Sequence, residues 1–438
     1  MFKTFINAFK IKEIRKKLLY TLLMMVIIRV GSQIPIPGVD PTQIKALMDQ
    51  ILGDGDGGIL LAITGGSLER MSILALGITP YITSSIVMQL LTIAIPPLEE
   101  MQREGEDGRK KIAAITRYLT VALALIESGA MAIGYKGLLM ENYRNALGII
   151  CVIAAMTAGS AFLMWLGERI TENGVGNGIS IVLVINIIST FPQDAVNLFE
   201  KFVKGKSVPS AILNSVLIIA AVLGLILLVI LLSDAVRKIP IQYAKKIQGN
   251  KMMGGNSTHI PVKVNTAGVI PVIFAASLLQ FPLIISNMVG YKGTGWWSEA
   301  LKYMNSSHWF NLSDMKYTLG ILVYIALVVF FAYFYTSITF NPVEIANNLK
   351  KAGGFVPGIR PGKPTSEYLN TALNYIIFIG AVGLVIVAII PYIFSGLFGL
   401  NLSFGGTSII IVVSVVIETA QQVESQMLVR NYKGFLND

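Results

Sequence analysis

The sequence predicts an all-α polytopic membrane protein with ten transmembrane helices. Three observations carry that prediction. Apolar residues make up 54% of the chain, charged residues only 14%, and the mean hydropathy is +0.66. Soluble domains carry about 25% charged residues, so this composition excludes disorder and an ordinary soluble enzyme. Ten apolar stretches, each near the ~20 residues that cross a bilayer as a helix, recur along all 438 residues. The basic residues then alternate between the connections as the positive-inside rule requires.

The ten stretches lie near 18–36, 73–95, 118–135, 146–166, 175–193, 208–232, 265–289, 317–339, 371–393 and 406–425. The run 368–417 holds no charged residue and is too long for one span, so it divides at Ser395-Gly-Leu-Phe-Gly-Leu-Asn. Lipid leaves no backbone group unpaired, so spans of this kind are helices. The first seventeen residues hold six basic ones, and no small-residue cleavage site follows the first apolar stretch, which argues against a cleaved signal peptide. With the N-terminus inside, the cytoplasmic segments contain 24 Lys and Arg and the opposite segments ten, with Arg29 inside the first span. The even number of spans returns the C-terminus to the same side. The net charge of +10 thus reports topology before any nucleic-acid partner.

Two segments break the simple pattern. Ile59 to Arg70 is apolar but too short to cross, and Gly53-Asp-Gly-Asp-Gly-Gly precedes it. It reads as a re-entrant half-helix, tolerated only where protein or an aqueous cavity surrounds it, or as an amphipathic segment on the outer surface. The cytoplasmic connections 233–264 and 340–370 exceed what a helical hairpin needs. In the second, Asn341 can cap a helix that has Pro342 at its first position and Glu344 completing a capping box. That helix covers Val343 to Ala352 and stops at Gly353-Gly354. A Pro/Gly-stiffened tip over 355–364 then presents Arg360 and Lys363. Long basic loops of this build suit docking, the alternative being connectors that only enforce topology.

Catalytic signatures are missing. Gly362-Lys363 is followed by Pro364, so no Walker A pattern arises, and Gly174-Val-Gly-Asn-Gly follows no strand. Neither H-E-x-x-H nor a nucleophile elbow occurs. One cysteine, Cys151, and two histidines, His259 and His308, form no ligand set, so neither an intrachain disulfide nor a metal site is expected. The chain reads as a non-enzyme without cofactor or metal, its energy supplied by a partner or a gradient. Ionisable residues within the spans reduce to Arg29 and Glu127, fewer than a gradient-driven carrier needs. Mild polar residues are commoner: Thr79, Thr83, Ser84, Ser85 and Gln89 in the second span, Asn186 in the fifth and Gln280 in the seventh. They suit helix contacts or the border of an aqueous route.

Long stretches then become recognisable: RVGSQIPIPGVD at 29–40, ALGITPYITSSIVMQLL at 75–91, EGEDGRKK at 104–111, FLMWLGERITENGVGNGISI at 162–181, STHIPVKVNTAGVIPVIFA at 257–275, FNPVEIANNLKKAGGFVPGIRPGKPT at 340–365 and FGGTSIIIV at 404–412. In this order they closely resemble the SecY family, the large subunits of the Sec protein-conducting channel. The resemblance covers every span. It implies two inverted five-helix halves, 18–195 and 208–425, around an hourglass pore. An external hinge linker at 196–207 joins them, between cytoplasmic ends 1–17 and 426–438. It implies a lateral gate between helices two and three on one side and seven and eight on the other. Carried onto this chain, the family's aliphatic pore ring falls on Ile82, Ile86, Leu183, Ile187, Leu278 and Ile411, with Leu279 the neighbour to consider at the fifth position. Leu stands for the commoner Ile at 183 and 278.

The short segment becomes the family's plug, with Ile59, Leu60, Leu61, Ile63, Gly65, Gly66, Leu68 and Arg70. Ser85, Gln89 and Glu127 match the gate region. Arg360 matches a loop-tip arginine used with cytosolic partners, and Lys245, Lys246, Lys350, Lys351 and Lys363 share its docking face. The implied partners are the small membrane subunits SecE and SecG, the motor SecA, the ribosome, preproteins with their signal peptides, and the bilayer. The implied place is the bacterial cytoplasmic membrane and the implied task is passive passage of unfolded chains. Residue chemistry alone leaves a secondary transporter of a small solute as the alternative; a membrane enzyme, such as an intramembrane protease, is weaker still.

Overall fold

The computed structural model describes residues 8–39, 64–68, 70–134, 137, 139–205, 207–243, 246–248, 251–253, 257–288, 295–305, 309, 315–398 and 406–434. In chain order its helices are α1 (Lys12–Gly31), α2 (Thr79–Ala94), α3 (Pro96–Arg103), α4 (Glu106–Gly134), α5 (Ala146–Asn173), α6 (Gly178–Phe202), α7 (Val208–Asp234), α8 (Ile270–Met288), α9 (Trp296–Met304), α10 (Leu319–Thr339), α11 (Pro342–Lys351), α12 (Lys363–Phe398) and α13 (Gly406–Gly434). Each of the ten apolar stretches falls on one of them. By length and composition α4, α5, α6, α7, α10, α12 and α13 can cross a membrane, and α2 with α3 forms a pair bent by 100° that meets the same criterion jointly. Large apolar side chains face outward over most of α7, as a lipid-facing helix requires: Leu213, Val216, Leu217, Leu227 and Leu231 are exposed.

Several expected boundaries shift for local reasons. The second span begins at Thr79, not at residue 73, because 73–78 form turns and Pro80 is placed in the first helical turn. It ends at Ala94, where Pro96 starts α3. Ser395 and Gly396 are still helical, so the break between the last two spans comes later than expected, after Phe398. The expected linker 196–207 shortens to 203–207, since α6 runs on to Phe202. In the predicted half-helix, Thr64 alone is helical among the described residues; 65–68 and 70–71 are turns.

Helices α1, α2, α4, α5 and α6 pack mainly among themselves, as do α7, α8, α10, α12 and α13. The two groups meet where α6 touches α13 and α7 and where α4 touches α8. A single apolar cluster draws side chains from both, among them Ile82, Leu183, Leu279, Tyr324 and Ile411. A second cluster joins Leu68 and Met71 to Ile36, Ala124 and Met156.

The long connections are not plain loops. β1 (Val236–Tyr243) pairs antiparallel with β4 (Ser257–Lys263), from Val236↔Lys263 to Gln242↔Ser257. Between them β2 (Lys246–Gln248) and β3 (Lys251–Met253) form a second hairpin. The other edge of β1 takes β5 (Gly354–Phe355), pairing Gln242↔Phe355 and Tyr243↔Gly354. One small sheet, ordered β4-β1-β5, therefore fuses both connections.

Candidate functional site

The site is built from α2, α6, α8 and α13. Ile82 and Ile86 lie one turn apart on α2, and Leu183 and Ile187 one turn apart on α6, so each pair shares a helix face. These four and Ile411 of α13 are each less than a tenth exposed and belong to one apolar cluster. Leu278 does not join them: it is 52% exposed, whereas Leu279 is 5% exposed and inside the cluster. The inner face of α8 is marked by Val272, Ala275, Ala276 and Leu279. One residue turns a helix by about 100°, enough to carry position 278 to the outer face.

Beside the aliphatic residues lies a cavity of about 20 Å³, lined by Ile82, Leu183, Ile411, Thr79, Thr83, Glu127, Ile273, Ser277, Gln280 and Phe281. It has room for about one water, and its polar edge combines α2, α4 and α8. Glu127 thus reaches the cavity, but Ser85 and Gln89 do not line it; they pair with each other, Gln89 Nε2 donating to Ser85 Oγ at 3.2 Å. Ser277 is a lining residue that sequence reasoning missed. Its spacing of three from Gln280 on an otherwise apolar helix is the signal that could have found it.

The glycine turn of the predicted plug is docked against α1 and α6. Gly65 and Gly66 have φ of +62° and +76°, left-handed values that favour glycine. The Gly65 carbonyl accepts from Arg29 Nη1 and from Ser189 Oγ, each at 3.4 Å. A Cβ on Gly65 would lie 2.9 Å from the Asn186 Cα and from Arg29 Nη1, so a larger residue does not fit. Asn186 directly precedes Ile187. Leu68 is buried in the second apolar cluster, and Arg70 donates to Gln33 Oε1. Ile59, Leu60, Leu61 and Ile63 lie outside the described residues.

At the other end of the helices, Asn341 caps α11 as expected, its Oδ1 accepting from the amides of Val343 and Glu344 at 3.1 and 3.3 Å. Lys350, Lys351, Arg360 and Lys363 are exposed, and Lys363 pairs with Glu367 at 3.9 Å. The tip over 355–364 is braced at both ends: β5 joins the sheet, and Thr365 Oγ1 donates to the Arg360 carbonyl at 2.8 Å. Lys246 is on β2, and Lys245 lies outside the described residues. The amides of the Gly174–Gly178 turn are taken up within the protein: Val175 by Thr21 Oγ1, Gly176 by Gln422 Oε1 and Gly178 by Thr171 Oγ1. That leaves these three amides nothing to offer a phosphate. Among the described residues no group of three or more His, Cys, Asp or Glu is placed to hold a metal ion.

Comparison with known proteins bears on this arrangement. Residues 72–420 match the family model described as SecY. The protein translocase subunit SecY of Streptomyces scabiei is 43% identical over the whole of both chains. Two solved structures share the fold. One is a SecY whose plug domain is described as stabilising the closed state of the translocation channel. It has a TM-score of 0.61 and 20% identity, over 94% of this chain and 92% of that one. The other is Sec61 in the canine ribosome–channel complex from the endoplasmic reticulum, with a TM-score of 0.57 and 18% identity over the same shares. With the family model covering most of its residues and full-length identity above two fifths, the chain belongs to the SecY family.

Proposed function

We propose that the chain is the pore subunit of a protein translocase, a passive channel through which unfolded preproteins cross the bacterial cytoplasmic membrane and from which apolar segments leave sideways into lipid. One observation carries the reading: aliphatic side chains from α2, α6, α8 and α13 converge in one buried cluster, with the Gly65 turn docked one residue from Ile187. A narrow aliphatic constriction dewets and blocks ions, yet makes no sequence-specific contact with a passing chain. The ring in this proposal is Ile82, Ile86, Leu183, Ile187, Leu279 and Ile411, with Leu279 in place of Leu278. The plug includes Gly65, Gly66, Leu68 and Arg70. The lateral gate is the seam where α2 and α4 face α8 and α10, with Glu127 in its cavity and Ser85 and Gln89 on its α2 side.

The fused sheet, with Lys350, Lys351, Arg360 and Lys363 beside it, is the docking body for the motor SecA or the ribosome; the guanidinium fork of Arg360 suits carboxylate or phosphate. A related structure carries the ribosome by its own description. SecE and SecG complete the complex, both termini lie in the cytoplasm, and the halves 18–195 and 208–425 move about the 203–207 link. The small-solute transporter gains nothing from the family relationship, and the described spans gather no ionisable cluster around Arg29 or Glu127. The test is a photocrosslinker placed singly at Ile82, Leu183, Leu279 and Leu278 in the reconstituted complex with a stalled preprotein. Adducts at the first three and none at Leu278 are expected. Adducts at Leu278 alone would overturn the ring.

A further inference from the structure

Helix α9 lies between α8 and α10, so both of its connections emerge at one membrane face, opposite the sheet. It is fastened to the start of α10. The Tyr303 carbonyl accepts from Trp309 Nε1 at 2.9 Å, and the Tyr303 and Tyr317 rings meet at 5.2 Å. Tyr317 Oη donates to Glu299 Oε2 at 3.2 Å. Gly320 approaches so closely that a Cβ there would lie 1.9 Å from the Tyr303 carbonyl oxygen. That contact sets the depth of α9. On the other face of the same turn of α10, Leu319, Leu322 and Val323 are exposed, so hydrocarbon begins at that level. Tyr303 is therefore level with the start of the outward apolar surface of α10.

From there α9 extends about 10 Å, at 1.5 Å per residue, to Trp296. Trp296 is 79% exposed and packs edge-on against Trp297, with ring centroids 5.5 Å apart. An indole presented to bulk water at that exposure is costly. In the interfacial layer its apolar ring and its N–H are both satisfied. Lys302 and Lys316 sit 3.5 and 3.8 Å from Glu299 and bring two ammonium groups to this segment, a chemistry that suits anionic headgroups. We propose that α9 is an interfacial anchor: it lies in the lipid headgroup layer, with Trp296 as the anchoring side chain and the phospholipid surface as its partner. Anchored there, α9 ties the ends of α8 and α10 to a fixed depth, on the side of the bundle where α8 meets α4.

The test uses the full chain with Cys151→Ala and an environment-sensitive fluorophore on Trp296→Cys. The protein is placed in phosphatidylcholine–phosphatidylglycerol vesicles carrying nitroxide lipids labelled near the headgroup or near the chain end. Gly295→Cys serves as a second position and Lys363→Cys as the water-exposed reference. A blue shift relative to Lys363→Cys is expected, with stronger quenching by the shallow nitroxide than by the deep one and protection from iodide. Ready quenching by iodide would place Trp296 in water and overturn the proposal. So would insensitivity to every quencher, which would mean a protein contact, and so would stronger quenching from the chain end.

Discussion

Gly65→Ala isolates the contact that holds the turn proposed as part of the plug. Two costs combine. A non-glycine residue at φ of +62° costs about 1–2 kcal/mol in the left-handed region. The added Cβ would lie 2.9 Å from the Asn186 Cα, where backbone of α6 has to move or the turn has to lift. Lifting the turn also gives up the two hydrogen bonds that Arg29 and Ser189 make to the Gly65 carbonyl, each worth about 0.5–1.5 kcal/mol net. A loss of about 2 kcal/mol lowers the ratio of seated to unseated plug about thirtyfold. The assay is ion conductance of the reconstituted channel in planar bilayers, without substrate. Gly358→Ala is the control. Its φ of +82° imposes the same backbone cost, but open space surrounds the position, and it lies on the sheet-side tip. Expected are frequent openings for Gly65→Ala and a silent Gly358→Ala. Equal quiet in both would refute the reasoning that this turn seals the pore.

Two further predictions rest on other parts of the molecule. Arg360→Glu replaces the exposed fork at the braced tip, so motor-driven export should fall several-fold while the melting temperature of the complex stays unchanged; normal export would remove the docking role. At Glu299, burial opposes ionisation, but the Tyr317 hydroxyl and the ammonium groups of Lys302 and Lys316 outweigh it and hold the carboxyl below its usual range. A carboxyl lowered in the folded state contributes stability above its unfolded pKa and loses it as pH falls through the folded one. Hydrogen-exchange protection of α9 should therefore drop on acidification below the ordinary carboxylate range, and Glu299→Gln should remove that step.

What was legible in the sequence was what neighbouring residues decide together. Each of the ten apolar stretches falls on a helix, and among the described residues seven of these helices, or eight with the bent α2–α3 pair, are long and apolar enough to cross, because lipid demands an apolar surface and internally paired backbone along the whole crossing. The Asn341–Pro342 start of α11 was readable because a cap acts within three residues. The family's stretches were readable because they are contiguous. Tertiary structure decided what depends on residues far apart in the chain. Whether 278 or 279 points inward is set by which helices surround α8, and both residues are leucine, so hydropathy is silent. The joining of β5 to β1 needs two connections to meet, and neither announces its partner. The reason for glycine at 65 is a close approach by Arg29 of α1 and Asn186 and Ser189 of α6, contacts that exist only once those helices have packed.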